Sequence, residues 1–390
     1  MNRENKSSEY HESSAMQRAF QRPVIVAVVV AWVVLFVSVV ALSQVSQEQT
    51  ELPDDTGRGI VVSESFSLQN APASSIRIHA NVPMRVEDSG LAILDAGGRE
   101  QSFIQYPYRQ PSLHETGDAL MIVPRHETEM MLVLPDATTI ELVVEMIVQC
   151  GDYRDGYVLA LGQAANNVTG VSLYKIPQAT PLLEIPISED GRPIRVSFAK
   201  SGRFFDVLLA DFSDGRPVTR VQRFSFSGDL VSDRRYSDFS FMPAILQLHD
   251  KEQVLFNERD ILAINPESGE VRLTRSFDQI VQIELKSGCL GMRTIDEGRM
   301  SLLFLREASD RSDRVFIEAE CEEELLGFAL SSDGVYALGM TEKTLKLFDT
   351  MTGKLVSERD GLLGMTRVLT ITERDFLVLT EEEAAIVSIR

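Results

Sequence analysis

Leu325 to Glu358 reads LLGFALSSDGVYALGMTEKTLKLFDTMTGKLVSE and holds four short strand-like runs in succession. Phe328–Leu330 leads into the turn Ser331-Ser332-Asp333-Gly334; Val335–Gly339 and Thr344–Phe348 follow. Lys354–Ser357 then comes after a turn at Thr352-Gly353. Val, Tyr, Leu and Phe recur with period two, and Asp-Gly or Thr-Gly closes the tight turns, as four antiparallel strands require. Asp349 suits the sharp exit from the third strand, because its carboxylate can accept hydrogen bonds from nearby backbone amides.

The third-to-fourth turn recurs along the chain: Ala96-Gly97-Gly98, Pro135-Asp136, Pro177-Gln178, Ser227-Gly228, Pro266–Gly269, Ser309-Asp310 and Met351–Gly353. The spacing is about 40 to 49 residues, the length of one four-stranded repeat. Strand-like runs precede these turns at Leu91–Leu94, Met130–Leu134, Val171–Tyr174, Val221–Phe226, Ile261–Ile264, Leu302–Leu305 and Leu345–Phe348. A last unit has room for only three strands, Val368–Thr372, Phe376–Thr380 and Ala385–Ile389. Gly59–Ser65 supplies the fourth, so the two ends of the repeat array pair and no sheet edge is left open. The expectation is an all-β, eight-bladed β-propeller, with seven blades as the runner-up; two β-sandwiches would not explain a constant period.

The segment ALSSDGVYALG…KTLKLFDTMTGKLV, with Leu347-Phe348-Asp349 where an aromatic followed by Asp is common, resembles a blade of the WD-repeat and quinoprotein-like (PQQ-like) β-propeller superfamily. The resemblance implies the architecture. Quinoprotein enzymes of that superfamily stack a flat cofactor on Trp, commonly beside an adjacent-cysteine disulfide. The single Trp here is Trp32, and no Cys-Cys occurs, so neither cofactor nor dehydrogenase activity is carried over.

Ahead of the repeats, Pro23 to Gln47 carries no charge, and Val24–Leu42 is almost purely apolar. Nineteen helical residues would span roughly 29 Å, the thickness of a bilayer's hydrocarbon core. Arg3, Lys6, Arg18 and Arg22 precede the segment, and Glu48, Glu51, Asp54 and Asp55 follow with only Arg58, so the amino terminus is expected in the cytoplasm. The apolar core exceeds the about 7–15 residues of a cleaved signal peptide, although Ala41-Leu42-Ser43 is a poor processing site. The expected layout is a disordered cytoplasmic tail (1–22), a transmembrane helix (23–43), a flexible linker (44–57) and an extracytoplasmic propeller (58–390).

The chain's net charge is −20. Such a charge disfavours nucleic acid and anionic head groups as partners. Cys150, Cys289 and Cys321 lack the close spacing of a zinc or thioredoxin-like site and read as mostly buried, inert thiols, two of which could pair outside the cytoplasm. Cys150 follows the apolar run Leu142–Val148 and is placed near a strand end. His114-Glu115 and His126-Glu127 flank Leu120–Val123 at opposite ends and read as solvated loop residues, as does His249-Asp250 in a turn. The acidic runs Glu318–Glu324 and Glu381–Glu383 read as loop charges, and Asp190–Pro193 and Asp214–Pro217 as hairpin turns. Asn167-Val168-Thr169 is a glycosylation sequon. No nucleophile elbow, HExxH, P-loop or GxGxxG occurs, so no catalytic, cofactor-binding or metal residue is assigned.

The functional expectation is a non-catalytic, membrane-tethered scaffold or ligand-sensing module with a protein partner in the cell envelope. The loops before each first strand, such as Gly361–Met365 and Cys321–Leu325, are its candidate contacts. The alternative is a degenerate hydrolase or lyase using carboxylates near the central channel, which requires charged residues to converge in one pocket. Carbohydrate binding is a weaker third reading, because few aromatics are available for stacking.

Overall fold

The computed structural model describes residues 59–306 and 316–390, apart from Glu64, Gln69, Asn70, Gly117, Asp118, His126, Ala179, 188–190 and Asp250. The tail, the apolar segment Val24–Leu42, the linker and the Ser309-Asp310 turn lie outside the described residues. Among those described, no helix is long and apolar enough to cross a membrane.

Eight antiparallel sheets follow one another along the chain. Blade 1 consists of Ile76–His79, Val82–Glu87, Gly90–Leu94 and Glu100–Gln105. Blades 2 to 7 occupy 112–143, 146–186, 192–236, 244–276, 279–318 and 327–360 in the same order of strands. Blade 8 combines Arg367–Thr370, Asp375–Leu379 and Glu383–Ile389 with Ile60–Val62 from the other end of the chain. Ile60, Val61 and Val62 pair with Ile389, Ser388 and Val387, and Gly59 and Arg390 exchange two backbone hydrogen bonds of 3.0 Å. The ring therefore closes as expected, with eight blades and not seven.

First strands of successive blades lie against one another around the axis, for example Met146–Arg154 with Arg192–Phe198 and Gly327–Leu330 with Arg367–Thr370. Fourth strands face outward: Glu100–Gln105 is exposed along nearly its whole length, whereas Gly90–Leu94 is buried throughout. Apolar side chains gather in eight clusters among the described residues, one at each seam between neighbouring blades. The seam between blades 7 and 8 takes Leu338, Leu345 and Leu347 from one and Val368, Phe376 and Val378 from the other. Period-two alternation feeds this arrangement, since each middle strand contributes to the seam on either side. Full burial of each such side chain stabilises by roughly 1.5–3 kcal/mol.

Asp349 behaves as its position suggests: Oδ1 accepts the N–H groups of Met351 and Thr352, both at 2.9 Å. Asp95 and Asn265 stand at the same point of blades 1 and 5 and do the same for Gly97, Arg99, Glu267 and Ser268. Gly353 (φ +72°) then lets the turn press against blade 6, where an added Cβ would stand 2.2 Å from the Glu318 carbonyl oxygen.

One boundary differs from expectation. Leu142–Val148 is not one strand: blade 2 ends at Val143 and blade 3 begins at Met146. The connecting Val144 is buried and Glu145 exposed, so the inside-outside alternation of a strand runs unbroken across a crossover that lacks Gly or Pro. Cys150 consequently sits in mid-strand, at a bulge in Met146–Arg154, with Sγ directed at the Ile194 carbonyl.

Candidate functional site

Antiparallel order sorts the connections onto two faces. First-to-second and third-to-fourth hairpins share one, the turn face. Second-to-third connections and the links between blades share the other, the crossover face.

On the crossover face, the links before blades 7 and 8 are the ones anticipated from sequence. Leu363 is 87 % exposed and Leu326 41 % exposed, while Leu325 and Met365 beside them are buried as anchors. Glu322, Glu324, Glu342 and Glu382 lie on the same face and are exposed. Glu323 is drawn instead toward Lys346 Nζ (3.4 Å), which also binds Glu358 (3.0 Å). The acidic runs are surface charges but not all loop residues: Glu383 opens a strand, and Glu318 lies on an outer strand, held by Arg299 (3.2 Å). Asp214-Gly215 is a turn at the crossover end of blade 4, with Arg216 committed to the Ser237 carbonyl at 3.1 Å; of the other phrase, Asp190 lies outside the described residues and Arg192-Pro193 begins a strand instead of a hairpin turn.

The axis holds a cavity of about 770 Å³ that the sequence does not announce. Its wall is built from the first strands of blades 1, 2, 6 and 8, and it reaches the turn face at Asn81, Pro135 and Ser332. Six ionisable side chains line it: Arg77, His79, Glu115, Glu284, Lys286 and Arg367. Arg77 Nη1 donates to the Ser74 and Ile76 carbonyls (2.7 and 3.0 Å), and its Nε lies 4.0 Å from Glu115 Oε1. Arg367 Nη1 donates to the Ala73 and Ile76 carbonyls at 2.7 and 3.2 Å. Burial, and then the nearby charge of Arg77, lower the pKa of Arg367.

Glu284 bridges three blades. Oε2 accepts the Leu330 N–H at 3.1 Å, and Oε1 lies 3.3 Å from Thr370 Oγ1. Burial pushes its carboxyl up to about 7, against the opposing pull of Lys286 and of these two hydrogen bonds. No short motif signals this site, because its members come from blades far apart in sequence.

The histidines correct the earlier reading. His114 is part of the innermost strand of blade 2, Ser112–Thr116, because the hairpin to Ala119–Val123 is shorter than expected. Burial and Arg195 lower its pKa. His79, 8 % exposed, lines the axial cavity, and its Nε2 has no hydrogen-bond partner among the described residues. His249 ends a strand, with Nε2 3.0 Å from the buried Glu252. His126 and Asp250 lie outside the described residues. Among the described residues no group of three or more His, Cys, Asp or Glu is placed to hold a metal, and all three cysteines are free. Burial raises the pKa of each thiol, that of Cys289 to about 11.

No protein-family model matches this chain, and no curated protein sequence matches it. Solved structures do resemble it. BamB from Moraxella catarrhalis superposes with a TM-score of 0.51 at 10% identity, over 84% of this chain and 99% of that one. The computationally designed protein Ika8 gives 0.55 at 11% identity, over 82% and 96%. The WD40 domain of SCAP from fission yeast gives 0.53 at 11% identity, over 87% and 97%. At such identity the likeness establishes the β-propeller fold alone.

Proposed function

We propose that the chain is a non-catalytic protein-interaction scaffold. Val24–Leu42 tethers it, and its propeller stands outside the cytoplasmic membrane. One observation carries the docking role: the crossover face holds Leu363 almost wholly in water, with exposed Glu322, Glu324, Glu342 and Glu382 on the same face. Taking such a leucine out of water is worth roughly 1.5–3 kcal/mol, a gain open only to a partner. These carboxylates select a partner with basic residues about an apolar pocket. The anchor is supported by the length of the apolar segment and the arginines ahead of it.

A photo-crosslinking residue placed at Leu363 of the full-length chain in intact cells tests the docking role, with Leu230 on an outer strand as the control site. A discrete adduct with one envelope protein from position 363 alone is expected; identical labelling from both sites would refute it. Protease added outside intact cells should remove the carboxy-terminal region, and full protection would overturn the orientation.

A second reading, a degenerate hydrolase or lyase, draws on Glu115 and Glu284 both lining the axial cavity. It requires turnover of an ester or glycoside substrate that Glu284→Gln abolishes.

A further inference from the structure

The axial cavity has a charge balance opposite to that of the molecule around it. The chain carries −20 overall, yet three cations (Arg77, Lys286, Arg367) line the cavity against two carboxyls (Glu115, Glu284). The surplus is larger than this count, because Glu284 holds its proton over part of the neutral range. Two guanidiniums converge on the carbonyls of Ala73, Ser74 and Ile76, close enough for each to feel the other's charge. Lys286 forms no ion pair among the described residues, whereas Arg77 shares Glu115 at 4.0 Å. Like charges gathered in a partly desolvated space are stabilised by an anion between them.

We propose that this cavity is a binding site for a small oxyanion, phosphate- or carboxylate-bearing, held by Lys286, Arg77 and Arg367. Its volume accommodates a small organic acid or phosphate with room for water. Arginine offers paired N–H donors suited to the two oxygens of either head group, and Lys286 adds a mobile point charge from blade 6. Asn81, exposed on the same wall, supplies a neutral hydrogen-bonding group for the rest of the ligand. The site opens on the turn face, away from the leucine rim, so it stands or falls independently of the docking role.

The test uses the full-length chain in non-ionic detergent, with thermal unfolding followed by near-ultraviolet circular dichroism. Inorganic phosphate and succinate are titrated separately, and chloride at matched ionic strength removes general screening. A saturable rise in the midpoint with either anion is expected, and which anion acts identifies the head group. Lys286→Gln should raise the half-saturating concentration on the order of tenfold, the effect of losing one charge-assisted hydrogen bond. Lys286→Arg should largely restore it, and Lys354→Gln, on the exposed surface, should leave it unchanged. If Lys286→Gln does not fold, Arg77→Gln gives the same readout. A rise no larger than that with chloride, or one that survives loss of the cation, overturns the proposal.

Discussion

Replacing Glu284 by glutamine fixes the side chain in the shape of its protonated form. The Thr370 hydroxyl lies within donating distance of both the Leu330 carbonyl and, at 3.3 Å, Glu284 Oε1; its single proton can serve only one of them, and when it goes to Leu330 a protonated carboxyl donates to Thr370 in return. Glutamine reproduces this: its amide N–H faces Thr370 while its oxygen keeps the Leu330 N–H. Burial, the largest influence, raises the carboxyl from its ordinary 4.5 to about 7. Between those two values the folded chain holds the proton and the unfolded chain does not. Stability from this group is therefore complete below 4.5 and is lost as pH rises through 7. At ~1.4 kcal/mol per pKa unit the loss is at most about 3 kcal/mol, and water in the channel reduces it to about 2. Urea unfolding of both proteins from pH 4.5 to 8 measures it. The variant should gain on the wild type steadily from pH 4.5 to about 7 and level off above it. A difference that stays constant with pH would refute the protonated bridge.

Arg223→Ala should cost about 3–5 kcal/mol in urea unfolding, because it strips the bidentate partner from Asp206, which is 0% exposed in the seam between blades 4 and 5. A cost below about 1 kcal/mol would show that Gln247 and Gln253 alone satisfy that carboxylate. Gly353→Ala should cost about 1–3 kcal/mol, since its Cβ meets the Glu318 backbone as well as an unfavourable φ. Gly364→Ala, with φ +75° and nothing within 4 Å, should cost only about 1 kcal/mol; equal losses in the two would remove the interblade contact from the explanation. Cys289, buried and pushed to about 11, should resist iodoacetamide at pH 8 until the chain unfolds, with mass spectrometry reading the labelled peptide.

The recurrence of the third-to-fourth turns about every 40 to 49 residues made the order of the blades legible and favoured eight over seven, because Gly or Pro stands in six of the seven turns that mark it. Asp95, Asn265 and Asp349 mark the exit from the third strand in three blades, a regularity visible in the sequence but used there only for Asp349. Ring closure was legible too, since a three-stranded last unit has to borrow a strand. The crossover between blades 2 and 3 was not, because buried Val144 and exposed Glu145 keep a strand's alternation going straight through it, with no Gly or Pro to interrupt. The axial cavity was invisible for a different reason. Arg77, Glu115, Glu284 and Arg367 each occupy an unremarkable strand position, and only the curvature of the ring brings them to one space.

Pairing of Ile60–Val62 with Glu383–Ile389 has a consequence for biosynthesis. Ser63 and Ile386, which share a hydrogen bond, are 323 residues apart in the chain. At about 5–20 residues per second a ribosome needs roughly 16–65 s to add that much polypeptide. For all of that time the first strand has no mate, and the earliest blades stack in an open arc with an apolar flank at either end. Loss of Glu383–Ile389 would leave the arc permanently unlatched, so that one strand governs whether every blade made before it is retained or discarded by cellular proteolysis.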